Sequence, residues 1–574
     1  MIKLLKYLNE YKLRAILAPV FKMLEASFEL MVPLVMVKLI DLGIAMDDKN
    51  AVYKYGAILL LLTFVGYISS ITAQYFAARS AIGFGRALRS DLFRHINSLS
   101  YREIDSLGSS SLITRMTSDL GQTVTGVNMF LRLFLRSPFI VFGAVIMAFT
   151  VDASTATVFV IVLPLLMIVV FVITFATLPM YKKVQDKLDR VTLLTREGLI
   201  GIRVIRAFNR QEIEEEDYRA ASVDLMKQQL LVGRISSLMN PVTYLIVNLG
   251  IAALIYAGAV RVESGLLTQG QIVALVNYMS QILIELVKLA NLIITLTKGI
   301  ASARRISDIM DIKSSLEYGE TNDMDSDVTI TFDHVSMSYS GSKKHAISDV
   351  SFTARTGQTI GIIGGTGSGK TSLVNLISRF YDADEGSITI NDIDIRDYTK
   401  ETIRGAVGIV PQQSVLFKGT IADNLRMADE SATEETLRWA IDRSQSKEFV
   451  DKKPDGINSL VLQGGKNLSG GQRQRLCIAR ALVKKPRILI LDDSSSALDF
   501  ATEAKLKRSL AEERFGRITF IVSQRPSSVM DADQILVLDD GEVVAQGRHN
   551  ELYRTCELYR EIYHTQFKDR GVAS

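Results

Sequence analysis

The chain has 574 residues, of which 48% are hydrophobic and 22% charged, with a formal net charge of +4. That length exceeds one ordinary domain, and a balance so close to neutral gives no reason to expect nucleic acid as a partner. Two cysteines, Cys477 and Cys556, are too few and too distant for a disulfide framework, which points to a reduced setting.

The opening stretch MIKLLKYLNEYKLR is basic but leads into no short apolar run with a small-residue cleavage site, so a cytoplasmic lead-in helix is expected rather than a signal peptide. Uncharged runs at 55–78, 153–181 and 235–260 each exceed the roughly 20 residues that cross a bilayer as a helix. Weaker apolar segments lie at 17–44, 130–151 and 272–296, giving six helices in all. The weaker segments carry charges. Lys22, Glu25 and Glu29 share one helical face with Lys22 and Glu25 spaced to pair, Arg132 and Arg136 fall in the second segment, and Glu285 and Lys288 are spaced to pair in the third. Charges inside spans face protein or water rather than lipid. They read either as the polar wall of an inward-facing cavity that attracts amphipathic or cationic substrates, or as paired charges near helix ends.

Basic residues set the orientation. Lys3, Lys6, Lys12 and Arg14 precede the first helix; Arg79, Arg86, Arg89 and Arg94 follow the second; Lys182, Lys183 and Lys187 follow the fourth; Lys298, Arg304 and Arg305 follow the sixth. Both termini are therefore expected in the cytoplasm. The long polar connections between helices two and three, and between four and five, read as stalks.

Residues 313–326 (KSSLEYGETNDMDS) form a polar linker between a membrane part, 1–312, and a second domain, 327–574. In the latter, β-branched runs such as TIGIIG, RILILD and ITFIV alternate with helical stretches, which predicts an α/β domain with a largely parallel core sheet.

Gly364, Gly365, Thr366, Gly367, Ser368, Gly369, Lys370 and Thr371 fit the phosphate-binding P-loop between a strand-like and a helix-like segment. The glycines let backbone N–H groups approach phosphate, Lys370 reaches the β/γ-phosphates and Thr371 offers a hydroxyl to Mg²⁺. The apolar run Ile488–Leu491 ends on Asp492, the carboxylate expected to hold Mg²⁺ through water. Between them, Leu468, Ser469, Gly470, Gly471 and Gln472 open a helix whose N-terminus is a second anion-binding surface. One molecule should not close both surfaces around one nucleotide.

P-loop, LSGGQ and the apolar strand ending in Asp492, preceded by six spans, resemble an ATP-binding cassette (ABC) exporter half-transporter over nearly the whole chain. The resemblance implies a type I exporter: an all-α six-helix transmembrane domain plus a cytosolic α/β P-loop nucleotide-binding domain, using ATP and Mg²⁺. It also implies a head-to-tail cassette pair, with each ATP held between one P-loop and the partner's LSGGQ. Coupling helices are expected at about 101–110 and 209–217, the latter beside GIRVIRAFNRQE. Tyr339 is similar to the family's adenine-stacking aromatic, Gln412 to its Q-loop glutamine, which reaches the metal, and Ser496, Ala497, Leu498 and Asp499 to its interface-crossing D-loop.

Two positions depart from the family. The water-polarising glutamate after Asp492 is replaced by Asp493, one methylene shorter, a shortfall of roughly 1.5 Å on a fixed backbone. The family's late histidine is replaced by Gln524, which can bond a phosphate but cannot carry a proton or charge; the other cassette histidines, His334, His345, His549 and His564, are expected elsewhere. In the loop before LSGGQ, Gln463 stands where a glutamate is common. Loss at both chemical positions with the binding residues retained is the pattern of the degenerate half of a heterodimeric exporter. Its partner would be a second half-transporter with the intact glutamate and histidine, and its own site would bind ATP but hydrolyse it slowly. The expected setting is a bacterial plasma membrane, with membrane lipid and a small amphipathic, drug-like or lipid-like substrate as further partners. The alternatives are a homodimeric exporter and a non-transporting, ATP-binding regulatory subunit.

Overall fold

A computed structural model describes residues 2–339, 341–342, 344–512 and 516–567; the last seven residues of the segment expected over 327–574 lie outside them. The chain divides into two compact units, Met1–Asn97 with Ser110–Ile312, and Ser98–Ser109 with Lys313–Ser574.

The first unit is helical. Five of its helical segments are long and apolar enough to cross a membrane: Lys49–Ser98, Ser109–Val151, Thr157–Ile200, Gln211–Glu263 and Gln269–Met310. The sixth expected span corresponds to the helix Lys12–Lys38, which has 27 residues but carries Lys22, Glu25 and Glu29 in mid-course and so misses the apolar criterion. At 50 residues, Lys49–Ser98 is about 75 Å long, more than twice the about 30 Å hydrocarbon core. The surplus must continue into water.

The connection between the fourth and fifth spans differs from expectation. The separate short helix is Ile202–Ala207, not 209–217. Gly201 ends the long helix before it, Asn209 closes the short helix in the left-handed conformation at φ 52°, and residues 211–217 are already the first turns of Gln211–Ser237. Asparagine tolerates that conformation better than most residues.

The second unit has twelve strands among its described residues: β1 (Thr329–Met337), β2 (Ile347–Arg355), β3 (Thr359–Gly364), β4 (Glu385–Ile390), β5 (Ile393–Asp394), β6 (Val407–Val410), β7 (Gly419–Thr420), β8 (Leu460–Val461), β9 (Ile488–Asp492), β10 (Ile518–Ser523), β11 (Gln534–Asp539) and β12 (Glu542–Gly547). The core sheet runs β12-β11-β3-β10-β9-β6. Its inner pairs are parallel and only β12 is antiparallel. All five residues of β9 are buried, as a strand covered on both faces requires. An antiparallel sheet, β2-β1-β4-β5, and a two-stranded one, β7-β8, complete the α/β unit.

The helix Tyr101–Leu107 belongs to this second unit. Ser100 and Glu103 cap it reciprocally and Gly108, at φ 73°, ends it. The Tyr101 ring lies 4.7 Å from that of Phe380, Arg102 pairs with Asp384 at 3.7 Å, and the Tyr381 hydroxyl donates to Asp105.

Candidate functional site

The phosphate loop is built by the strand–turn–helix passage from β3 into the helix Lys370–Ile377. Two glycines are demanded by geometry. A Cβ on Gly364 would sit 2.2 Å from the Leu538 carbonyl, and Gly369 combines φ 93° with a Cβ position 2.5 Å from the Ala346 carbonyl. The Lys370 ammonium is buried and donates to the Gly364 carbonyl at 2.9 Å and to Ser368 Oγ at 3.2 Å, so it sits folded over the loop. Burial pushes that ammonium below its ordinary value, against the pull of Asp492 and Asp493.

Asp492 ends β9 inside the same cavity. Thr371 Oγ1 donates to its Oδ2 at 3.0 Å. Burial pushes the Asp492 carboxyl up; the Thr371 hydrogen bond opposes this, Asp493 adds to it and Lys370 opposes it. The Asp493 carboxyl is also raised by burial, while Arg525 and Lys370 draw it down. Asp493 stands in the left-handed conformation at φ 46°, held by its own N–H donating to the Val522 carbonyl at 3.0 Å.

The cavity measures about 440 Å³ and brings most of the expected residues together. Thr366, Gly367, Gly369, Lys370 and Thr371 line it with Tyr339, Gln412, Asp492, Asp493 and Gln524. Tyr339 hydrogen-bonds to Ser372 at 2.9 Å and packs edge-on against Tyr381 at 5.2 Å. Of the remaining loop residues, Gly364 supplies a carbonyl to Lys370, as does Gly365, and Ser368 supplies its hydroxyl. The cavity also holds residues that sequence reasoning missed: Lys344, paired with Asp540, and His345, bonded to Ser338 at 3.0 Å. His345 was expected elsewhere. It arrives with the segment between β1 and β2, a long-range placement with no local signature.

None of Leu468, Ser469, Gly470, Gly471 or Gln472 lines this cavity. They open the helix Gly470–Val483, where Ser469 and Gln472 form a reciprocal capping box. Ser496–Asp499 lies beside them. A Cβ on Gly471 would meet the Ala497 carbonyl at 2.9 Å, Leu498 is buried, Ser496 Oγ donates to the Asp493 carbonyl at 3.0 Å, and Asp499 caps the helix Phe500–Ala511. Gln463 is exposed on the loop leading to Leu468.

In the first unit the charged residues form one network with Arg136 at its centre. Arg136 bonds Glu285 at 2.6 Å and Glu29 at 2.7 Å, with Glu25 at 3.9 Å. Lys22 pairs with Glu25 at 2.5 Å, Lys288 with Glu285 at 2.8 Å, and Ser137 Oγ donates to Glu285 at 3.0 Å. The two helical pairs were expected. Their joining through Arg136 was not.

An ABC transporter transmembrane region model matches residues 15–286 and an ABC transporter model matches 347–496. The uncharacterized ABC transporter ATP-binding protein YfiB of Bacillus subtilis is 36% identical over 573 residues, covering all of both chains. An ATP-dependent lipid A-core flippase of Vibrio cholerae is 28% identical over 569 residues, covering 98% of this chain and 97% of its own. A bacterial Atm1-family ABC exporter with ATP bound superposes with a TM-score of 0.80 over 99% of each chain at 24% identity, a likeness of fold. The chain is a member of the ABC transporter family, a multi-pass membrane protein of the type I exporter fold that couples ATP to transport.

Proposed function

We propose that this chain is the degenerate half of a heterodimeric exporter. One observation carries the reading: a single cavity holds the phosphate loop, Lys370, the Thr371–Asp492 pair and Gln412, yet the two positions that would activate water hold Asp493 and Gln524. The site grips nucleotide and is blunted in chemistry. The Leu468–Gln472 surface lies outside this cavity's lining and serves the nucleotide of the partner, which supplies the intact glutamate and histidine.

The residues fit Mg²⁺. Thr371 Oγ1 and Asp492 are already within 3.0 Å of each other, and with Gln412 they form the all-oxygen donor set that this hard cation prefers. When bound, the ion neutralises charge on the β- and γ-phosphates. Lys370 would then turn from the Gly364 carbonyl to the phosphates, and Tyr339 would stack on the base.

The cassettes face the cytoplasm, as does each terminus, in a bacterial cell membrane. The substrates are amphipathic, drug-like or lipid-like molecules. Glu25, Glu29 and Glu285 are matched within their network by Lys22, Arg136 and Lys288. No acid is left in excess to draw a cation, so amphipathic shape rather than positive charge selects the cargo.

Purification decides the reading. The chain alone binds ATP but turns it over about 100-fold more slowly than the complex with its partner, as a misplaced base dictates. Brisk hydrolysis by a verified homodimer would favour a symmetric exporter, and tight ATP binding without ATP-dependent flux in vesicles a regulatory subunit.

A further inference from the structure

A second cavity, of about 220 Å³, lies within the cassette between β9, β10 and the helix Phe500–Ala511. Its apolar wall includes Leu491, Leu506, Leu510, Ile521, Val522 and Ala532. Glu503 also lines it and is 4% exposed. The carboxylate is half satisfied. Oε1 accepts from Ser528 Oγ at 2.7 Å and faces Lys507 Nζ at 3.5 Å, whereas Oε2 is buried with no hydrogen-bond partner among the described residues. Leaving such an acceptor bare costs about 1–3 kcal/mol.

We propose that this cavity binds a small, neutral, largely aromatic molecule that donates one hydrogen bond to Glu503. Size, wall and charge each narrow the class. The volume falls below the about 300–1,000 Å³ of pockets that take drug-sized ligands, which limits the occupant to a ring or two. The wall is apolar. The ionic groups lining the cavity are equal in number, two acids and two bases, with Glu503 facing Lys507, so a further charge would be buried without a counter-ion of its own.

The position makes the site regulatory. Leu491 directly precedes Asp492, and Ser494 and Ser495, also in the lining, directly follow Asp493. Ser495 and Ser528 hydroxyls lie 3.3 Å apart, and Ser528 is the Glu503 donor. An occupant therefore touches the chain on both sides of the nucleotide-site carboxylates without entering their cavity.

Indole is the probe: aromatic, neutral, a donor only. N-methylindole is nearly the same shape without the donor. With the full-length chain in detergent, ligand-observed NMR or calorimetry is expected to show saturable indole binding and about ten-fold weaker N-methylindole binding, the factor of one hydrogen bond to a charged acceptor. Ala532→Leu fills the cavity and abolishes both while ATP affinity is kept; Ala511→Leu, at an exposed rim position, is the second blocking variant should the first fail to fold. In the assembled transporter, saturating indole changes ATP turnover by a factor of about five or more, the lower end of the usual coupling between linked sites, and not in the blocked variant. Non-saturable uptake, or equal uptake by a folded blocked variant, overturns the site. Equal affinity for N-methylindole overturns the role of Glu503, and binding without a change in turnover overturns the regulation.

Discussion

The side-chain amide of Gln474 donates to the backbone carbonyl of Asp493 at 3.1 Å, and its oxygen accepts from the Ala497 N–H at 3.2 Å. Gln474 is 2% exposed and sits on the helix that Ser469 caps. One buried side chain thus ties the helix opened by Leu468–Gln472 to the strand end and loop of the nucleotide cavity. Gln474→Ala leaves the Ala497 N–H without its acceptor, at about 1–3 kcal/mol, while the Asp493 carbonyl keeps the Ser496 hydroxyl as donor. The expected outcome is unchanged ATP affinity in this chain's cavity, with turnover by the assembled transporter falling about ten-fold or more. An equal loss of affinity and turnover would show that the bridge only holds the cassette together.

Restoring the base by Asp493→Glu is expected to raise turnover by less than about ten-fold. Gln524 still cannot carry a proton, and the backbone at position 493, at φ 46°, suits aspartate better than glutamate. The pair Asp493→Glu with Gln524→His should exceed the product of the single changes, because both side chains line one cavity and couple. Full activity from the single change, measured as phosphate release per cassette, would contradict the division of labour between two unlike sites.

The phosphate loop, Asp492, the LSGGQ helix and the alternating α/β order were legible in sequence because each is local: a strand, a turn and a helix within a few residues. The central place of Arg136 was not, since its partners Glu29 and Glu285 lie 107 and 149 residues away. Nor was His345 in the nucleotide cavity, which depends on how the β1–β2 connection folds over the loop. The short helix Ile202–Ala207 had its signals, Gly201 before it and Asn209 after it. The acidic run at 212–217 occupies the exposed N-terminal turns of the next helix, where the dipole favours acids.

Ligand-free stability should carry a pH signature. Burial holds the folded-state pKa of Asp492 and of Asp493 above the ordinary aspartate value of about 3.9. Above that value the unfolded chain releases protons that the folded chain retains, so stability falls as pH rises through the folded values. The cassette's unfolding temperature without nucleotide is expected to fall on going upward from about pH 4. Asp492→Asn keeps an acceptor for Thr371 and removes the ionisation, so its fall should be shallower and its melting temperature at neutral pH higher than that of the natural chain. A parallel pH profile for the variant would show that Asp492 does not contribute.

The network in the first unit predicts a pairing of costs. Arg136 and Glu285 have side chains 8% and 3% exposed, so breaking their bond strands an ion away from water. Arg136→Leu alone should destabilise by about 3–5 kcal/mol, because Glu285 and Glu29 lose their common cation. Arg136→Leu with Glu285→Leu removes both of these buried ions, keeps the Lys22–Glu25 pair, and leaves unpaired Lys288, 47% exposed, and Glu29, 40% exposed, which can turn to water. The double variant should therefore melt well above the Arg136→Leu protein in the same detergent, with a coupling energy of about 0.5–3 kcal/mol. If the two losses simply add, Arg136 and Glu285 are not each other's compensation, and the network stabilises through separate contacts. Transport separates structure from function at the same place: a double variant that melts normally yet moves no substrate would assign the buried charges to the cargo pathway, whereas normal flux would assign them to packing of the three helices they join.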